Sequence, residues 1–235
     1  MLDDLITSEF NNVGELLGIG ELNTALEGMT ERQQRKALVR MATQVKNSRR
    51  SRGEMEKFFR ELPKHIRHEL IKGRLRLTDY TLYTMKRISS KTIKMFEPQD
   101  DKEIGVRNIS NAKLPKNTAF LVSGIILLTG TSRDYKDNEE NKSINFKTIS
   151  TIPAIANGEF SLKANRRQIV PENQSNRRFI TDNDNTIQWG YYKLDNPRLI
   201  RDEELIELTI ELGTLNGVTD NQFIWAGLDG TGTTP

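Results

Sequence analysis

The stretch Glu204-Leu-Ile-Glu-Leu-Thr-Ile-Glu-Leu-Gly213 decides the fold, because its side chains alternate in character. Ile206, Leu208, Ile210 and Leu212 fall on one side, Glu207, Thr209 and Glu211 on the other. Successive side chains of a β-strand point to opposite faces, so this period of two describes a strand with one buried and one wet face. Working outward, seven further short β-type runs are separated by turn residues: 119–129, 143–151, 159–164, 167–170, 177–181, 186–194 and 222–228. Strands at roughly 10-residue spacing, with no α/β alternation and no internal repeat, predict an antiparallel sandwich, jelly roll or barrel. Its expected core comprises Phe120, Val122, Ile126, Phe146, Phe160, Phe179, Trp189, Ile206, Leu208, Ile210, Phe223 and Trp225.

Upstream of residue 118 the texture is helical. Thr30-Glu-Arg-Gln33 is a capping box that opens a helix running to about residue 47. At about 100° per residue, Leu38, Met41, Ala42 and Val45 form one stripe, with Arg32, Lys36 and Arg40 roughly opposite. A second helical stretch covers 54–62, and a third begins at Pro63 and ends at Gly73. A fourth is expected from Thr78 or Asp79, with Tyr80, Leu82, Tyr83, Met85 and Ile88 as its apolar content. Residues 97–117, with Pro98, Asp100, Asp101 and Pro115, read as a linker. Residues 1–29 scatter leucines among Gly14, Gly18, Gly20 and Gly28, and read as an extended arm of short helical pieces with flexible joints, ordered against a neighbour. The expected class is therefore α+β. An acidic arm (1–29), a basic helical region (30–96) and a linker (97–117) precede an antiparallel β-sandwich (118–235) with a flexible Gly/Thr-rich tail.

The net charge of +3 conceals a strong polarity. Residues 1–30 carry six acids and no base, residues 31–95 have net charge +13, and residues 96–235 have −4. A basic block beside a nearly neutral domain points to a polyanionic partner. The chain has no cysteine, which excludes disulfides and thiolate metal sites and favours an intracellular origin. Its start, MLDDLITSEFNN, has neither the basic start nor the apolar core of a signal peptide. The longest apolar run, 120–128, is interrupted by Ser123 and Gly124 and falls well short of the ~20 residues of a spanning helix.

Catalytic signals are weak. His65 and His68 stand at i and i+3 near Glu61 and Glu69, but Lys64, Arg67 and Lys72 around them would repel a cation, so surface histidines are the favoured reading. Asp182-Asn-Asp184 resembles the opening of a calcium loop, yet lacks its glycine and has Lys193 where a bidentate Glu is needed. It reads as an Asn/Asp turn. The glycines of the tail have no following Lys or helix to make a phosphate loop. Arg166-Arg167 and Arg177-Arg178 flank residues 171–175, and their guanidinium forks suit phosphate or a neighbouring subunit's carboxylates, with surface solvation an equal alternative. No nucleophile, base and orienting group combine, so no enzyme activity, cofactor, metal or small-molecule substrate is expected.

A basic helical arm bearing Arg32, Arg35, Lys36, Arg40, Arg49, Arg50 and Arg52, the strand region 115–129, and the segment from Gly190 through Pro197 to Leu212 resemble coat proteins of tailless icosahedral bacteriophages. That resemblance implies a single jelly roll, since about 110 residues of β structure do not make a double one. It also implies a virion structural protein made in the host cytoplasm: a capsid shell subunit, a vertex protein or a minor shell component. Such a protein would self-assemble as a homo-oligomer with other shell proteins. Arg32, Arg35, Lys36, Arg40, Lys46, Arg49, Arg50 and Arg52 would then meet nucleic acid or an anionic internal membrane. The alternative is a non-catalytic nucleic-acid-binding protein with a β-rich accessory domain.

Overall fold

The computed structural model describes Thr30, Met55, residues 57–181 and residues 189–235. The chain forms two compact units, Met1–Thr78 with Thr233–Pro235, and Asp79–Gly232. In the first, a 3-10 turn (Phe59–Glu61) precedes helix α1 (Lys64–Ile71), which buries Ile66 and Leu70 one turn apart. Pro63 is the N-cap of α1. At the other end Gly73 adopts φ +67°, and the Gly73 and Arg74 amides bond Leu70 O and Glu69 O at 3.1 and 3.0 Å. This Schellman closure needs a left-handed residue, which is why the helix stops at glycine. The expected capping-box helix lies outside the described residues, as does the arm 1–29.

Nine strands follow among the described residues: β1 (Arg76–Arg87), β2 (Thr92–Lys94), β3 (Phe120–Thr131), β4 (Lys147–Thr148), β5 (Glu159–Ala164), β6 (Arg167–Ser175), β7 (Tyr191–Ile200), β8 (Ile206–Glu211) and β9 (Gln222–Thr234). One sheet has the order β1-β9-β3-β4, with β7 also pairing β3, and the other has the order β2-β8-β5-β6. The pairings of β3 with β4, β7 and β9, and of β8 with β2 and β5, are antiparallel, as is β5 with β6. With short helices α2 (Asn138–Lys142) and α3 (Pro153–Ala156), the molecule is a mostly antiparallel two-sheet α+β protein. Residues from both sheets contribute to one hydrophobic cluster, including Leu82, Phe120, Leu127, Phe160, Leu208 and Ile224.

The structure corrects four expectations. Residues 76–87 are a strand, not a fourth helix. Leu82 and Met85 carry helical spacing, but Tyr80, Leu82 and Thr84 alternate with Thr81 and Tyr83, and Thr and Tyr favour a pleated surface. Tyr80 meets Phe120 edge-on at 5.9 Å, whereas Tyr83 stacks on Trp225 at 5.8 Å. Second, residues 97–117 are not an interdomain linker, because they lie within the second unit and bury Val106, Ile109, Ala112 and Leu114. They run beside β1: Met85 N donates to Val106 O (3.0 Å), and the Asn108 side chain accepts from Tyr83 N (2.8 Å) and donates to Thr81 O (2.7 Å). A strand edge covered in this way offers no template to another chain.

Third, the glycine-rich tail is not flexible. It is the second half of β9, paired with β3 from Thr131↔Gln222 to Phe120↔Gly232. Gly230 and Gly232 are buried there; a Cβ on Gly230 would stand 1.8 Å from Leu121 O, and one on Gly232 would stand 3.2 Å from Tyr80 Cβ. Finally, 177–181 is no strand, 143–151 contains only the two-residue β4, and Trp189 is 48% exposed instead of buried. A 3-10 turn (Asn176–Phe179) places Phe179 under Phe160, ring centres 4.7 Å apart, with Tyr192 edge-on to both. Because Phe160 is fully buried, Phe160→Ala is expected to cost about 3 to 5 kcal/mol, read as a lowered urea midpoint at unchanged slope. A shift below about 1 kcal/mol would place the core elsewhere.

Candidate functional site

The eight basic residues expected to meet a polyanion, Arg32, Arg35, Lys36, Arg40, Lys46, Arg49, Arg50 and Arg52, lie outside the described residues, as does the Asp182-Asn-Asp184 turn. His65 and His68 are exposed on α1, and His68 Nδ1 is 3.9 Å from Glu69. Among the described residues, no group of three or more His, Asp or Glu is arranged to hold a metal ion. No described helix is long and apolar enough to cross a membrane.

A cluster of four charged side chains lies where residues 97–107 fold back on β1. Lys86 Nζ hydrogen-bonds the Glu97 carboxylate and sits 2.7 Å from Asp100 Oδ2, and Arg107 Nη1 lies 2.8 Å from Asp100 Oδ1. Lys86, Asp100 and Arg107 keep only 15–18% of their side-chain surface exposed, so these charges interact with little screening. The Lys86 hydrogen bond holds the Glu97 carboxyl below the usual range, against an opposing effect of desolvation. Two cations and two carboxylates compensate one another, and their effect is to pin the loop to the strand. Sequence reading missed this cluster, because its members come from a strand and from two stretches of loop.

The two arginine pairs singled out in the sequence are not brought together. Asn165 and Arg166 form the two-residue turn between β5 and β6, both at positive φ (45° and 69°), as a type I′ hairpin requires. Arg177 and Arg178 stand at the opposite end of β6, on the order of 30 Å away at ~3.3 Å per strand residue. They are carried by the 3-10 turn (Asn176–Phe179), whose start is capped by Ser175 Oγ accepting from Arg177 N at 3.3 Å. Asn176 anchors it from beneath: fully buried, it donates through Nδ2 to Ile155 O (2.8 Å) and through its backbone amide to Gly158 O (2.9 Å).

Both guanidinium groups are exposed and fixed by neutral side chains. Arg177 donates through Nε (3.1 Å) and Nη2 (2.7 Å) to Asn157 Oδ1. Arg178 donates through Nη1 to the Tyr192 hydroxyl (2.8 Å) and lies 5.2 Å from the centre of that ring, within cation–π range. The arginine pair itself was legible in the sequence; Asn157 and Tyr192, 20 and 14 residues away, were not. Chemically, the arrangement offers oriented positive charge at a surface. No family model matches the chain, and no curated protein matches it.

Proposed function

We propose that this chain is a structural subunit of a virion, a capsid shell or minor capsid or vertex component. Its β domain would be a sandwich of the single jelly-roll type that self-assembles, and its basic segment would contact nucleic acid or an internal membrane. The observation that carries this reading is the strand order. With the two-residue β4 set aside, the first strand pairs with the last (β1 with β9), the second with the second-to-last (β2 with β8), the third with the third-to-last (β3 with β7), and the middle two pair with each other (β5 with β6). That nested order is the one a single long folded-over hairpin would have. With the additional neighbours β9–β3 and β8–β5 the eight strands fall into two four-stranded sheets, and this order supports the jelly-roll reading.

Jelly rolls serve several functions, so the fold alone does not choose among them. The charge distribution favours a shell: −6 over residues 1–30 and +13 over residues 31–95 suit pairing between copies and with a polyanion. The second reading, a non-catalytic nucleic-acid-binding protein, draws on the same +13 block but leaves the β domain without a role. Size-exclusion chromatography with light scattering, followed by electron microscopy, separates the two. The full chain is expected to form particles at low salt, with or without nucleic acid or anionic vesicles, and removal of residues 1–29 is expected to leave a folded β domain that no longer does so. A protein that binds DNA yet stays monomeric under all of these conditions overturns the shell reading.

A further inference from the structure

Arg177 and Arg178 form a fixed, exposed pair of cations on the β domain, apart from the basic segment 31–95. A guanidinium matches a carboxylate with its donor fork, and such charge-assisted bonds are the stronger kind. Here each is held by a neutral group instead, Arg177 by the Asn157 amide and Arg178 by the Tyr192 hydroxyl and ring. Among the described residues, neither has a carboxylate within salt-bridge distance. Neutral partners orient the forks without cancelling their charge.

The mutual repulsion of two adjacent cations is offset by a turn anchored through fully buried Asn176. Arg177 Nη1 and Arg178 Nη2 remain as donors that no described residue takes. Two positive charges with ordered geometry and unused donors make a preorganised anion site, which saves part of the ordering cost of binding. Three residues before Tyr192, Trp189 is 48% exposed and adds an aromatic face on the chain segment leading into β7. An exposed indole on the same chain segment as Tyr192, the partner of Arg178, suits unpaired bases, which stack on any aromatic face.

We propose that Arg177 and Arg178 bind phosphates of single-stranded nucleic acid, with Trp189 as a base-stacking group. This rests on the nucleic-acid contact in the proposed function and adds a second contact, on the β domain and separate from the basic arm.

The test uses the full-length chain and fluorescence anisotropy of a labelled oligothymidylate over a salt series. Each phosphate contact on a single strand contributes about −0.7 to the slope of log K against log salt, so the double variant R177Q/R178Q is expected to flatten that slope by about 1.4. Trp189→Ala is expected to weaken binding roughly tenfold at unchanged slope. Tyr192→Phe keeps the ring and the net charge but removes the hydrogen bond that orients Arg178, and is expected to weaken binding a few-fold, also at unchanged slope. R166Q/R167Q removes the same charge at the far end of β6 and is expected to leave the slope as it was.

A wild-type slope in R177Q/R178Q, or an equal loss in R166Q/R167Q, overturns the site. So does competition by polyglutamate as effective as by unlabelled oligothymidylate, which would assign the forks to carboxylates of a protein partner. Far-ultraviolet circular dichroism checks that each variant folds, and if the double variant does not, Trp189→Ala and Tyr192→Phe decide. Particle formation is scored separately: particles without the Arg177/Arg178 effect refute this site alone, whereas the effect in a protein that never assembles refutes the shell alone. No binding of oligothymidylate by the wild-type chain refutes this site together with the nucleic-acid contact.

Discussion

Gly230→Ala is expected to lower the stability of the β domain by about 3 kcal/mol or more, a large share of the 5 to 15 kcal/mol typical of a whole domain. Gly230 lies opposite Val122 in the β3–β9 pair, next to the register shift between Val122 and Gly124. A methyl group there would stand 1.8 Å from Leu121 O, and the obstacle is backbone, which cannot rotate aside as a side chain can. Relief requires β3 and β9 to separate where both are buried, breaking ladder bonds that water cannot replace. The control is Gly213→Ala, where nothing stands within 4 Å of the new methyl group. That change removes unfolded-state freedom and is expected to be neutral or stabilising by up to about 1 kcal/mol. Urea unfolding of the two variants checks the argument, and coincident midpoints would refute the close approach of the strands.

Asp100→Ala should be nearly as damaging for an electrostatic reason. It removes the carboxylate that bridges Lys86 and Arg107, both mostly buried, and leaves Arg107 without a salt-bridge partner among the described residues. Removing one partner of a buried ion pair typically costs about 3 to 5 kcal/mol, and the residual exposure of 15–18% argues for the lower end. Glu172, in contrast, pairs with Lys163 on the surface, where water screens the interaction, and Glu172→Ala should barely move the unfolding midpoint. The two losses also differ in location. With the Asp100 latch gone, the Met85 and Asn108 amides, which tie β1 to the returning loop, should exchange faster than the rest of β1. Unchanged exchange at those two amides would show that the loop is held by its apolar residues and not by the ion cluster.

The sequence by itself determined those elements whose signal is local. Strand β8 was legible because its buried and wet residues alternate without a break, and β5 because the same alternation holds over six residues. Helix α1 followed from Pro63 and Gly73, whose backbone preferences act without help from neighbours. Tertiary structure alone decided the remainder. In 76–87 a helical and a strand pattern coexist, and pairing with β9 selects the strand. Gly230 and Gly232 look like tail residues until the β3 backbone comes close enough to exclude a side chain at Gly230 and Tyr80 close enough to crowd one at Gly232. The Lys86–Glu97–Asp100–Arg107 cluster and the Asn157 and Tyr192 supports of the arginine pair rest on bonds between side chains 7 to 20 positions apart. Hydrogen bonds and ion pairs act over about 3 Å, so such groups acquire meaning only when the fold brings them within reach.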